Sequence, residues 1–195
     1  MSVDAELRAY AALLEKWNAV QNLVSRETIG ELWPRHIDDS LQLLKLLRPG
    51  DRSLFDIGSG GGFPAIPLAI ASRGLERRFT LLEPIAKKAA FLRTVARELD
   101  LPVLVHAVRA EKFDSRETFH AVTSRALAGL PELLAISARF LAPKGHMLLH
   151  KGRKYRQELD AASALFDFDV VIHPSESDAE SVILEIANLK AKSVA

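Results

Sequence analysis

The sequence predicts an α/β fold, a doubly wound and mostly parallel sheet with helices on both faces. Three observations predict it. From Leu54 onward, short apolar runs alternate with segments of helical periodicity, and near-continuous apolar strands of that kind belong to parallel sheets covered on both sides. The first of these runs ends in a turn with glycine at 58, 60, 61 and 62. The last two β-rich runs are separated by Pro174-Ser175-Glu176-Ser177-Asp178, too short for a helical crossover, so they pair antiparallel.

The elements follow in chain order. Leu7, Tyr10, Ala11, Leu14 and Trp17 recur at helical spacing, as do Ile37, Leu41, Leu44 and Leu47. Pro34 stands where a helix start tolerates proline, and Pro49-Gly50 ends the run. Helices are therefore expected near 4–20, 28–33 and 35–48. They form an N-terminal helical extension, residues 1–50, that caps a catalytic-type domain over 51–195. Strands are expected at 54–57, 78–83, 103–107, 119–124 and 145–150, with helices at 64–73, 85–100, 130–141 and 154–164 and a short helical piece at 110–113. Strands at 166–173 and 181–186 complete a seven-stranded sheet. A parallel sheet closed by an antiparallel hairpin is the class I methyltransferase variant of the Rossmann-like fold, an ending that pyridine-nucleotide domains usually lack.

The glycine turn carries the first chemical argument. Glycine lets the backbone take positive φ and lets a ligand lie against the main chain, and the helix behind the turn offers unpaired N–H groups. Gly60-x-Gly62-x-x-Ala65 satisfies the dinucleotide fingerprint. Asp56, at the mouth of the turn, opposes that reading, because it would repel a pyrophosphate and attract a cationic amino acid. Asp56-x-Gly58-x-Gly60-x-Gly62 is the S-adenosylmethionine pattern instead. Arg78-Phe79-Thr80-Leu81-Leu82-Glu83 reads as a buried strand ending in an acid that accepts from ribose hydroxyls; for a lone glutamate the plainer reading is a solvated strand end.

Composition narrows the classes. The chain has 195 residues, 48% of them hydrophobic, which suffices for one large domain with an extension. A net charge of +1 gives no global nucleic-acid signature, so RNA contacts fall to local patches. Without cysteine there is no disulfide or thiolate metal site, and the six histidines form no ligand-spaced pair. No apolar run approaches a membrane span and no signal segment is evident, so a cytoplasmic protein is expected.

Nearly end to end, the chain resembles the bacterial small-subunit ribosomal RNA guanine-N7 methyltransferases (the RsmG family, also called glucose-inhibited division protein B). The resemblance runs through Trp17-Asn18, Asn22-Leu23, Arg35-His36-Ile37-Asp38-Asp39-Ser40-Leu41 and Asp56 to Pro64. It continues through Lys87 to Leu92, Arg109-Ala110-Glu111, Ser124-Arg125-Ala126 and Lys151-Gly152. The Arg-His-x-x-Asp-Ser block is its specific part. Two positions depart from the family's usual pattern, Ala65 in place of glycine and His120 in place of aspartate. The resemblance implies a monomeric enzyme that takes a methyl group from S-adenosylmethionine and places it on N7 of a guanine in 16S ribosomal RNA of the small subunit. It places cofactor contacts at Gly58, Phe63, Ala110, Glu111 and Arg125. The turn and strand arguments add Asp56, Gly60 and Glu83.

Guanine N7 carries a lone pair and no proton, so its methylation needs alignment rather than a general base. That suits a chain with no cysteine nucleophile and with Ser124-Arg125-Ala126-Leu127 where exocyclic-amine enzymes carry an Asn/Asp-Pro-Pro-aromatic block. Arg125 is the candidate catalytic residue. Its planar fork suits either the cofactor carboxylate or guanine O6, and its plainer role is an ion pair with a core acid such as Asp56. Lys151, Arg153, Lys154 and Arg156, with Lys87 and Lys88, are candidate phosphate contacts, although such runs are usually solvated faces. Arg35 and His36 either touch RNA or buttress the cofactor pocket. Two rivals share the scaffold: a small-molecule methyltransferase with a closed pocket built by the N-terminal helices, and a non-catalytic RNA- or nucleotide-binding module.

Overall fold

The computed structural model describes residues 2–25, 29–125 and 128–192. Its sheet has seven strands: β1 Ser53–Ile57, β2 Arg78–Leu82, β3 Val103–His106, β4 Phe119–Arg125, β5 Leu141–Lys151, β6 Phe166–Pro174 and β7 Val182–Ala191. They lie in the order β3-β2-β1-β4-β5-β7-β6. The pairs β1–β2, β2–β3, β1–β4 and β4–β5 are parallel. The pairs β5–β7 and β6–β7 are antiparallel. The order reverses between β1 and β4, and at such a point the strand ends splay and leave a crevice for a ligand.

All five residues of β1 are buried, as expected of a strand covered on both faces. Its alternation assigns the two cores. Leu54 joins a cluster with Leu7, Tyr10, Leu14, Ile66 and Phe91, while Phe55 and Ile57 join Leu130, Leu134, Phe140 and Met147 on the other face. Phe55 anchors the second core, with its ring stacked 4.5 Å from Phe119 and tilted 4.8 Å from Phe140. The first face is covered by α1 (Val3–Asn18), α3 (Ala65–Ala71) and α4 (Ala86–Glu98). The second carries α5 (Leu130–Ser137) and α6 (Tyr155–Ser163). Helix α1 begins where the Ser2 side chain accepts from Ala5 N–H, with Asp4 and Glu6 in its first turn. Residues 3–47 thus add side chains to the same core that holds the glycine turn.

Two strands run longer than expected, β5 starting at Leu141 rather than 145 and β7 reaching Ala191 rather than 186, and three expected helices differ. The helix expected at 35–48 is a π-helical stretch, Trp33–Asp38, followed by a short α turn, α2 (Asp39–Leu41), and a 3-10 turn, Gln42–Lys45. The helix expected at 28–33 is a 3-10 turn over Ile29–Glu31, and its residue 28 lies outside the described residues. The helix expected to reach 141 ends at Ser137, and a 3-10 turn over Ala138–Phe140 feeds directly into β5. Arg139 fixes that corner by donating to the carbonyls of Ala110, at 2.6 Å, and Phe113, at 3.2 Å. Ala65 opens α3 without a positive φ, so its departure from glycine costs the backbone nothing. His120 binds Ser53 Oγ at 2.8 Å, below the carboxyl ends of the strands where the crevice opens. Among the described residues no helix is long and apolar enough to cross a membrane.

Candidate active site

The turn after β1 is held mainly by backbone. Gly58 and Ser59 N–H donate to Leu82 O at 2.9 and 3.0 Å, and Gly62 N–H returns to Ser59 O at 2.7 Å. Gly58, Gly60 and Gly62 all have positive φ. At Gly62 (φ +103°) a Cβ would sit 2.7 Å from Ile66 Cγ1 and 2.9 Å from the Tyr10 hydroxyl. That hydroxyl donates to Gly61 O at 2.6 Å, so the N-terminal helix pins the turn directly. Burial raises the Tyr10 pKa well above that of an ordinary phenol and keeps the donor proton in place.

Glu83 is buried rather than solvated. Its two oxygens accept from Gly60 N–H and Ile85 N–H, both at 2.8 Å. The carboxylate thereby clamps the glycine turn to the start of α4 and keeps further acceptor positions on each oxygen. Asp56 lies beneath the turn at 2% exposure. Its Oδ1 accepts from Thr123 Oγ1 at 2.7 Å, whereas Oδ2 is buried with no partner. Burial pushes its pKa up from 3.8 to about 6.

Three cavities meet at these strand ends. One of about 210 Å³ is a slot of mixed character, with Ile57, Leu82, Val108 and Ile136 beside Arg109, Glu111 and Glu132. A second, about 370 Å³, is walled by Gly58 to Gly61, Phe63, Glu83, Lys88 and Arg125. The third, about 570 Å³, is lined by Arg35, His36, Asp39, Arg125, His150, Lys151 and Glu158. Gly58 is common to the first two, and Arg125 to the second and third.

Arg125 stands at that junction. Its Nη1 donates to Arg35 O at 3.2 Å and to Asp39 Oδ2 at 3.3 Å, and its Nη2 to His36 Nδ1 at 2.5 Å. The guanidinium lies 5.0 Å over the Phe63 ring, against which His36 also stacks. Burial, with the neighbouring Arg125 charge, holds His36 down at about 4. The imidazole is therefore neutral, with its proton on Nε2. The acid that pairs with Arg125 is Asp39, not Asp56. The π-helical stretch makes this possible, because it turns the Arg35 carbonyl and the His36 ring toward β4 together.

The sequence overlooked Asp39 as a site residue, yet Asp39 is the hub. Its Oδ1 accepts from Gln42 Nε2 at 2.7 Å and from Ser177 Oγ at 2.5 Å, tying the β6–β7 turn to the cap. His150 Nε2 reaches its carbonyl at 3.1 Å. Only its place in the Arg-His-x-x-Asp-Ser block hinted at this.

The basic run divides. Lys151 is buried, and its ammonium donates to Ala128 O at 2.7 Å and Glu158 Oε2 at 2.8 Å. It joins Ala128 to Glu158 rather than standing free for a phosphate, because a lysine at the end of a covered strand can reach only what lies over it. Arg153, Lys154 and Arg156 are exposed, with Arg156 packed on Tyr155. Arg35 points outward and pairs with Glu31 at 3.3 Å. Ala126 and Leu127, quoted beside Arg125 in the sequence, lie outside the described residues.

The donor set fits S-adenosylmethionine. The slot beside Gly58 suits a purine, Glu83 keeps acceptor capacity for ribose hydroxyls, and Asp56 Oδ2 is an orphaned buried acceptor beneath the turn. Comparisons with known proteins agree. The family GidB, rRNA small subunit methyltransferase G, matches residues 4–182. A protein from Brucella ovis named ribosomal RNA small subunit methyltransferase G is 45% identical over 191 residues, 95% of this chain and 88% of the relative. One of the same name from Cereibacter sphaeroides is 43% identical over 183 residues, 93% and 88% of the two chains. Among solved structures, the glycopeptide N-methyltransferase MtfA complexed with S-adenosylmethionine has a TM-score of 0.63 at 14% identity, covering 77% of this chain and 93% of its own. A precorrin-6y C5,15-methyltransferase from Geobacter metallireducens has a TM-score of 0.59 at 17% identity, covering 87% and 93%. These two share the Rossmann-like methyltransferase fold.

Proposed function

The chain belongs to the rRNA small subunit methyltransferase G family, and from that premise we propose that it methylates N7 of a guanine in 16S ribosomal RNA of the small subunit. It is a methyltransferase that uses S-adenosylmethionine. One observation carries the reading: Arg125 is shared between the cavity at the glycine turn and the larger cavity beside it. A base in the larger cavity would meet the methyl donor at that residue.

When bound, the cofactor would supply a methyl group on a sulfonium, an electrophile that the N7 lone pair could take without losing a proton. What the chain must do is align and shield. Glu83 and the turn N–H groups would hold the ribose side, Asp56 and the turn the amino-acid side, and the Ala110–Glu111 slot the adenine. Arg125 keeps two N–H donors, Nε–H and one Nη2–H, that its three described bonds do not use. Placed on O6, such a donor leaves the N7 lone pair free. Because Asp39 offsets the guanidinium charge and His36 is neutral, the cluster does not repel the positive charge that the purine acquires. No general base is required.

The exposed Arg153, Lys154 and Arg156 follow directly on the wall of the larger cavity at Gly152, which favours a polyanionic substrate over a small molecule in a closed pocket. The enzyme acts as a monomer in the cytoplasm on this reading. Tritiated methyl transfer onto small subunits from a strain lacking the gene, followed by nucleoside identification, tests it. The expected product is 7-methylguanosine; a methyl group on an exocyclic amine, or none on 16S RNA, would overturn the proposal.

A further inference from the structure

Three carboxylates line the larger cavity, and two are already committed. Asp39 receives Gln42, Ser177 and Arg125. Asp178 closes its own turn by accepting from Glu180 N–H and Ser181 Oγ. Glu158 differs. Its Oε2 takes two donors, Lys151 Nζ and Leu130 N–H, each at 2.8 Å, while Oε1 has no hydrogen bond among the described residues. The carboxylate is thus aimed by one oxygen and open at the other. It brackets residues 128–130, since Lys151 holds Ala128 O and Glu158 holds Leu130 N–H. Ala128 also borders the slot beside Gly58.

We propose that Glu158 is the specificity-determining residue of this cavity, with Oε1 accepting the N1–H and N2–H of the target guanine. The assignment rests on the guanine-N7 reading above. Guanine offers two adjacent N–H donors on its Watson–Crick edge, and one carboxylate oxygen has two acceptor positions. That edge lies across the purine from N7, so holding it leaves the nucleophile open. Adenine presents an acceptor at N1, which the carboxylate would repel. The contact also strengthens along the reaction. Methylation at N7 makes the purine cationic and its N1–H and N2–H better donors, so an anionic acceptor binds the transition state more tightly than the substrate. Lys151 holds Glu158 in place and is a positioning residue. The ion pair is otherwise only a local brace.

The test is a two-by-two cycle of single-turnover methylation. Wild-type enzyme and Glu158→Gln are each given small-subunit particles reconstituted with 16S RNA carrying guanine or inosine at the mapped target. Inosine keeps N7 and lacks only the N2 amino group. Wild type should lose roughly tenfold or more on inosine, and Glu158→Gln roughly 10- to 100-fold on guanine, the range for losing a charge-assisted hydrogen bond. In Glu158→Gln the inosine penalty should shrink to within about threefold, because its partner is gone. Unchanged cofactor affinity in Glu158→Gln would show an intact fold. An inosine penalty as large in the variant as in wild type would reduce Glu158 to a brace, and so would wild-type rates equal on both bases. The wild-type arm needs no variant to fold. Absence of 7-methylguanosine from the wild-type reaction on guanine would instead overturn the underlying function, and this assignment with it.

Discussion

The two sides of Arg125 are built in opposite ways. On the cofactor side, positions 56–63 and 83–85 make a cradle from main chain, with Glu83 and Tyr10 binding backbone atoms of the turn. On the substrate side, Arg125 and Ser177 meet at the Asp39 carboxylate, His150 reaches the Asp39 carbonyl, and Glu158 pairs with Lys151, so that side chains from distant parts of the chain supply most of the contacts. At Gly62 the main-chain cradle has no room for an added atom, whereas a side-chain network tolerates substitution that preserves its charges and lengths. The consequences are measurable.

Gly62→Ala should have the largest effect. It imposes φ +103° on an L-residue and drives a Cβ to 2.7 Å from Ile66 Cγ1 and 2.9 Å from the Tyr10 hydroxyl. The expected loss is about 3 kcal/mol of folding stability by chemical denaturation, together with cofactor binding. A variant with wild-type stability would show that the turn relaxes freely and that the contrast is overdrawn.

That asymmetry also explains what the sequence revealed. Glycine spacing betrays the cofactor side because glycine takes those backbone angles at least cost, and Glu83 follows on the next strand. The strand and helix alternation likewise exposed the sheet and its closing hairpin. Asp39, Glu158 and the burial of Lys151 were illegible because their meaning lies in partners brought from other strand ends. The π-helical stretch at Trp33–Asp38 was read as an ordinary helix, since its apolar spacing differs little from α over six residues. Lys151 was grouped with its basic neighbours because a charge run carries no mark of which member lies under the cap.

Arg125→Lys comes next. It keeps the charge but loses the fork that engages Arg35 O, Asp39 and His36 together. Single-turnover methylation should fall about 10- to 100-fold with cofactor affinity nearly unchanged. If affinity falls in step with rate, Arg125 serves the cofactor first and belongs to the other half of the comparison.

Asp56 tests the cradle's one unsatisfied group. Its pKa is raised from 3.8 to about 6 by burial, so the folded chain binds that proton more tightly than the unfolded one. The ionised carboxylate therefore opposes folding above about pH 6, and the penalty disappears as pH falls below 3.8. Asp56→Asn should gain on the order of 1–2 kcal/mol of ligand-free stability at pH 8 and nothing at pH 4, while cofactor affinity drops. Equal destabilisation at both pH values would mean that the carboxylate is structurally required rather than held ready for a cation.

The smallest effect is expected outside both halves, at the exposed Arg153, Lys154 and Arg156. Each would contact RNA as a solvated cation, so its contribution is screened and nearly additive. Replacing all three with Gln should weaken particle binding by only about tenfold at physiological salt. The slope of log affinity against log salt should flatten by about 2–3, according to whether the contacts lie on single-stranded or duplex RNA. Lys151→Gln should behave differently, because its ammonium already holds Ala128 O and Glu158. It should lower the methylation rate and leave the salt slope as it was. An undiminished slope in the triple variant would make that run a solvated face. A flattened slope in Lys151→Gln would return Lys151 to the RNA surface and erase the division between buried brace and exposed contact.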